Sequence, residues 1–552
     1  MPNLMPLRLA IPLLALLIPA AYANPNSAAL KELSDQYVDW QRPGNSTSQA
    51  RDQSADGYAG RIAEKKRMLD ALLAVGEEGL SAEEDIDRRL LIGILRAEVN
   101  TGETLRRWEN DPSLYLPGSG LGPLLESAAL GDAESRKNLV PMLDALPKNF
   151  THGRTNLKRP PERFTRAAIF QAKNKLKALN EGLENLADLS EAELTVARSA
   201  QTAFAEYLAF LEEDLLPRSD GSWALGRPAY DFILQQRWHM DSDADRIHRR
   251  GLKAFEDTER LAQETAERIQ PGKHWTEVYE TIKLRHPSAA GLKQAYQEQM
   301  DLAQVFVKQH GVLTLPDGER VITLDTPPAM RRSSPFGTFE MVSPFDDGLE
   351  GRLMLTPIES WMSPEQQEQR LQSHHSAWIP VIAVHEAYPG HHAHGIKMKE
   401  NPNMLRRVVH EPIFTEGWGL FTEELMYELG FLKGDEVRLT QLRNRLWRAA
   451  RVILDSGLHT GRTSFEEAVQ FLVEKVRFEP YAAELEVGMY IREPTYVLGY
   501  LIGMEEILAI RGEYIEEYGE PDPPSQFYDR LLSVGSIPPA LVREELFAPA
   551  AE

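Results

Sequence analysis

Within His385-Glu386-Ala387-Tyr388-Pro389-Gly390-His391-His392, three imidazoles and a carboxylate flank a backbone break. These residue types point to a hydrolase built around zinc. A catalytic zinc takes about three protein ligands, usually His and carboxylate, and keeps one position open for the water it activates. The common arrangement, H-E-x-x-H, sets two histidines one helical turn apart with the glutamate beside them as general base. Here the fifth position is Pro389, and the next histidines follow six and seven residues after His385.

On an unbroken helix His391 would lie about 9 Å along the axis from His385 and roughly 120° around it, and His392 about 10.5 Å away. Neither placement brings two imidazoles to one ion, so the helix must bend or stop. Proline removes an intrahelical donor and glycine accepts unusual backbone angles. We therefore expect a helix carrying His385 and Glu386 that is re-aimed at Pro389-Gly390, returning either His391 or His392 to the metal. The spacing leaves both open. Trp378, Ile379, Val381, Ile382 and Val384 make the preceding turns apolar and buried, which argues against a solvated surface turn.

A third ligand should be acidic and sit on another rigid element. Glu416 is the candidate: Thr415 and the run Glu416-Gly417-Trp418 open a helical pattern that continues through Leu425 and Met426, at a distance suited to a neighbouring antiparallel helix. Glu423 shares its face and is placed to hold a ligating histidine from behind.

The combination resembles the bacterial family catalogued as domain of unknown function 885, whose members look like zinc metallopeptidases. Beyond the histidine segment and Glu416-Gly417-Trp418, the resemblance extends through Asp455-Ser456-Gly457-Leu458-His459, then Glu486, Tyr490, Pro494, Tyr500 and Gly503, and finally Leu531-Leu532, Gly535 and Pro538. It implies a mostly helical fold of the thimet-oligopeptidase and angiotensin-converting-enzyme type with a deep active-site channel. It also implies that His385 and Glu416 are ligands and Glu386 the base. Phe421, Met489 and Tyr528 stand where the family tends to have tyrosine, arginine and histidine, and we expect these positions to line the cleft.

The N-terminus reads as a secretory signal, residues 1–23, with Arg8, an apolar run from Leu9 to Pro19, and a cleavage site after Ala23. The run is short for a membrane span, and no later segment approaches one. No cysteine is present, which excludes disulfides, thiol nucleophiles and lipid attachment through cysteine. With 83 acidic and 61 basic residues the net charge is −22, which argues against nucleic-acid binding. A periplasmic or secreted location follows.

Helical periodicity dominates residues 24–350, taken as a scaffold region. Helices are expected from Arg163 to Leu216 with a new start at Ser190 and Glu193, from Asp241 to Ile269, and from Ser288 to Gln309. Between Gly311 and Pro357 short strands or an extended loop are expected, offering an edge for a peptide backbone. Residues 351–552 form the metal-binding catalytic region, with helices at Gly434–Asp455, Ser464–Val476 and Pro494–Tyr518. His459 and Tyr500 are candidate donors to a developing oxyanion, with Tyr490 and Tyr496 at similar spacing. Arg492 is a candidate for a substrate carboxylate.

The expectation is a mostly α, exported, zinc-dependent hydrolase of short peptides. Zn²⁺ would be held by His385, Glu416 and His391 or His392, with Glu386 as base. The alternative is a periplasmic binding protein with a non-catalytic or structural metal site.

Overall fold

Ser81, Ser190, Ser363 and Ser464 each accept from the backbone three residues on, and a Glu or Gln at that position reaches back. This reciprocal capping starts helices sharply. A computed structural model describes residues 24–42, 52–118, 120–186, 188–331, 334 and 336–548. It is mostly α, with one small three-stranded sheet among the described residues. The expected signal segment, 1–23, lies outside them. No described helix is long and apolar enough to cross a membrane.

The extended segment forms strands β1 (Arg320–Asp325), β2 (Gly337–Glu340) and β3 (Glu350–Leu355). The order is β1-β3-β2. β1 runs parallel to β3 with Val321 opposite Gly351, and β2 runs antiparallel with Phe339 opposite Leu353. Gly351, Leu353 and Leu355 alternate inward, the period of a strand with one buried face. A division at residue 350 would cut this sheet at the first residue of its central strand.

Buried apolar side chains fall into two clusters. The larger runs from Leu30 to Leu546, and a smaller one lies between Tyr115 and Leu215. The site therefore shares its core with the chain's first and last helices rather than with a separate C-terminal unit. Arg406, wholly buried, binds Asp87 through Nε and Glu545 through Nη2 at 3.0 Å, joining residues over 450 positions apart.

Five helices position the site: the histidine helix Ile379–Glu386, the return helix His391–Glu400, the glutamate helix Pro412–Glu428, the arginine helix Asp435–Thr460 and the tyrosine helix Leu498–Tyr518. The glutamate helix starts before the expected Thr415, because Pro412 suits a first turn, where its missing N–H costs nothing. Glycines let it lie against the tyrosine helix. A Cβ at Gly503 would come within 1.8 Å of the Ile413 carbonyl oxygen, and one at Gly417 within 2.5 Å of the Gly503 backbone.

Candidate metal centre

The histidine helix ends at Glu386, Tyr388-Pro389 is a cis peptide, and the return helix starts at His391. A Cβ at Gly390 would stand 1.9 Å from the His385 carbonyl oxygen and 2.3 Å from that of Val384. Only glycine lets the chain double back this closely. The Pro389 carbonyl oxygen accepts from Trp418 Nε1 at 2.9 Å, tying the break to the glutamate helix.

This geometry gathers one donor atom each from His385, His391 and Glu416, all within 4.8 Å of one another. Glu416 Oε2 is 3.4 Å from His391 Nε2 and 3.8 Å from His385 Nε2. Ligands about 2.0–2.1 Å from a tetrahedral ion stand roughly 3.4 Å apart, so the carboxylate lies near a ligand's spacing from both rings. Gly419 supplies the room: a Cβ there would lie 2.8 Å from His385 Cε1 and 3.1 Å from His391 Cε1.

Behind the cluster, buried Glu423 Oε1 is 2.9 Å from His385 Nδ1. That contact fixes the ring so that Nε2 faces the other donors. Burial opposes a charge on His385, yet its contacts with Glu416 and Glu423 outweigh burial and lift it to about 9. Burial also opposes charge on Glu416, and the two histidines still hold it well below the usual carboxylate range. A carboxylate kept ionised between two imidazoles in a buried place is suited to a divalent cation.

Tyr496 donates its hydroxyl to Glu416 Oε1 at 2.9 Å, leaving Oε2 towards the histidines. The ring of Tyr500 stacks on that of His385, centroids 6.3 Å apart and planes 13° from parallel. Burial, then the Glu416 charge, raises Tyr500 well above an ordinary phenol, so it remains a neutral donor. Glu386 is half-buried and has no hydrogen-bond partner among the described residues. Its charge is felt by His385 and by Tyr296.

Other candidates are engaged elsewhere. His392 faces away from the cluster: its Nε2 is 3.1 Å from Glu319 Oε2, which also accepts from Tyr388, while Oε1 of the same carboxylate accepts from Gln304 and pairs with Lys308. His459 is also engaged away from the cluster: Nε2 meets the Tyr490 carbonyl at 3.0 Å and Nδ1 accepts from the Leu225 amide. Both ring nitrogens are thus spent on the backbone, and burial lowers the ring to about 4. Arg492 binds Asp111 and Ser113 and lies over the Phe164 ring. Tyr490 is fully buried and donates to Glu486. Phe421 and Tyr528 pack in the core against Trp418 instead of lining a cleft.

Sequence reasoning gave Tyr496 little weight and missed Glu319. Tyr496 follows Glu416 by 80 positions, so only the helix crossing reveals the contact. Glu319 sits beside β1 without a motif of its own.

The sequence pattern of a family described as "Bacterial protein of unknown function (DUF885)" matches residues 40–546. No curated protein matches. Solved structures share the fold, among them these two. One, a candidate lipoprotein of unknown function from Shewanella oneidensis, is 19% identical with a TM-score of 0.75 over 94% of this chain and 98% of that one. The other, a candidate lipoprotein from Colwellia psychrerythraea, is 17% identical with a TM-score of 0.74 over the same shares.

Proposed function

The chain belongs to this bacterial family of unknown function, and from the chemistry of its site we propose that it is a zinc-dependent hydrolase of peptide bonds. The observation that carries the reading is the convergence of His385, His391 and Glu416, with Glu423 behind one histidine and an unengaged Glu386 next to it. Zinc held there would supply Lewis acidity, lowering the pKa of a water and polarising the scissile carbonyl.

The protein's own groups divide the remaining work. Glu386 takes the proton of the attacking water and returns it to the departing amine, a role suited to a carboxylate without a competing partner. Tyr496 keeps one oxygen of Glu416 occupied so that the other points to the histidines. Tyr500, held neutral, donates towards the negative charge that develops on the carbonyl oxygen. His391 is the second imidazole, and His392 holds the return helix against Glu319.

Export is part of the same reading. It is supported by the signal-like first 23 residues and by structural relatives described as candidate lipoproteins. Since these 552 residues contain no cysteine, a lipid thioether on them is ruled out.

Digestion of a mixed peptide library, with and without chelator and read by mass spectrometry, tests the proposal. New peptide ends that vanish on chelation and return with zinc are expected. Metal-loaded protein that holds peptides yet cleaves none would make it a binding protein instead.

A further inference from the structure

The arginine helix turns a polar stripe inward. Asn444, Arg448, Arg451 and Asp455 follow at intervals of four, three and four residues, the spacing of one helical face, and all are buried. Two members of the stripe are paired: Arg451 binds Glu486 through Nε and Nη2, with only its Nη1 unpartnered among the described residues, and Asp455 accepts from Tyr230 and the Thr495 amide. The other two are not. Asn444 is fully buried, and neither its amide nitrogen nor its amide oxygen has a partner among the described residues. Arg448 is 4% exposed, its Nε is unpartnered among the described residues, and its one side-chain hydrogen bond among them is a long contact of 3.5 Å from Nη1 to the Asn444 carbonyl.

A buried guanidinium without a bonded anion is expensive, because desolvation is not offset by pairing. Ring faces of Trp447 and Tyr500 cover it, at 4.3 and 5.5 Å, but they supply no full negative charge. The acidic charge that acts on it most is that of Glu423, which already holds His385. Tyr500 in turn stacks on His385 at 6.3 Å. The guanidinium therefore lies at most about 12 Å from a proposed metal ligand, within reach of roughly three extended residues.

We propose that Asn444 and Arg448 form the subsite for the C-terminal carboxylate of a peptide substrate, so that the protein trims short pieces from peptide C-termini. The inference rests on the peptide-hydrolase reading. A carboxylate supplies the missing charge and accepts from Arg448 Nε and from the Asn444 amide, while Asn444 Oδ1 takes the N–H of the last residue. Arginine suits this better than lysine, since its fork matches a planar carboxylate.

The test uses zinc-loaded protein carrying Glu386→Gln, so that peptides are held without being turned over. N-acetylated tetrapeptide libraries are offered once with a free C-terminus and once as the amide, and retained peptide is measured by mass spectrometry. The free acids should be retained about 10- to 100-fold better, the range of a charge-assisted pair. Adding Arg448→Met should bring acid and amide within about twofold of each other while zinc content stays the same. Equal retention of acid and amide, or retention of neither, overturns the subsite. The acid-to-amide comparison needs no substitution at Arg448 and survives a poorly folding variant. Cleavage by the unsubstituted protein is scored separately, so a true hydrolase that ignores the carboxylate is told apart from a protein that hydrolyses nothing.

Discussion

His385 Nδ1 stands 2.9 Å from Glu423 Oε1, and the second oxygen of that fully buried carboxylate has no hydrogen-bond partner among the described residues. The negative charge is thus directed at one imidazole. Glu423→Gln keeps the shape and removes the charge. Zinc affinity should fall about 10- to 100-fold, measured by competition with a chromophoric chelator. Unchanged affinity would mean that the contact orients nothing.

Glu386 can be separated from the ligands by the same chemistry. Glu386→Gln should leave one zinc per chain and reduce peptide turnover by about 10²- to 10⁴-fold. Zinc analysis alongside a turnover assay checks both halves, and a variant with near-normal turnover would move the base elsewhere.

Adjacent histidines should respond in opposite ways. His391→Ala removes a donor from the cluster and should abolish stoichiometric zinc. His392→Ala should keep zinc but cost about 1–3 kcal/mol of stability, because Glu319 loses one buried partner. Zinc content and thermal melts of the two variants read this out, and loss of zinc in the second alone would reverse the assignment.

Burial raises Asp455 from 3.8 to about 7, against hydrogen bonds from the Tyr230 hydroxyl and the Thr495 amide. Its neutral form therefore stabilises the fold fully below the unfolded value, and that contribution is lost as pH rises through about 7. Asp455→Asn cannot ionise. Its Tm relative to the parent should climb between about pH 4 and 7 and level off above, and parallel melting profiles would place the titration on another group.

Much of this site was legible before folding. Pro389-Gly390 between histidines required a break, and the seven-residue spacing of Glu416 and Glu423 set both carboxylates on one face. The choice between His391 and His392 was not legible, because both follow the break and only the packing of Glu319 and Gly351 draws one ring away. His459 misled for a related reason: a histidine in a polar-looking motif gives no sign that two backbone groups will claim its ring. Arg448 belongs to no motif, and its burial without a bonded anion shows only once the helix is packed. The helices and short strands were readable from periodicity and capping, but the sheet's order, with β3 in the middle, depends on a parallel pairing that crosses intervening chain.

The enclosure of Arg406 between Asp87 and Glu545 carries a practical consequence. A fragment beginning just ahead of the histidines would expose apolar surfaces normally covered by the first helices and leave that cation with half its counterions. The chemistry is therefore not a portable cassette. Efforts to graft or minimise it will have to keep the helices that carry Asp87 and Glu545.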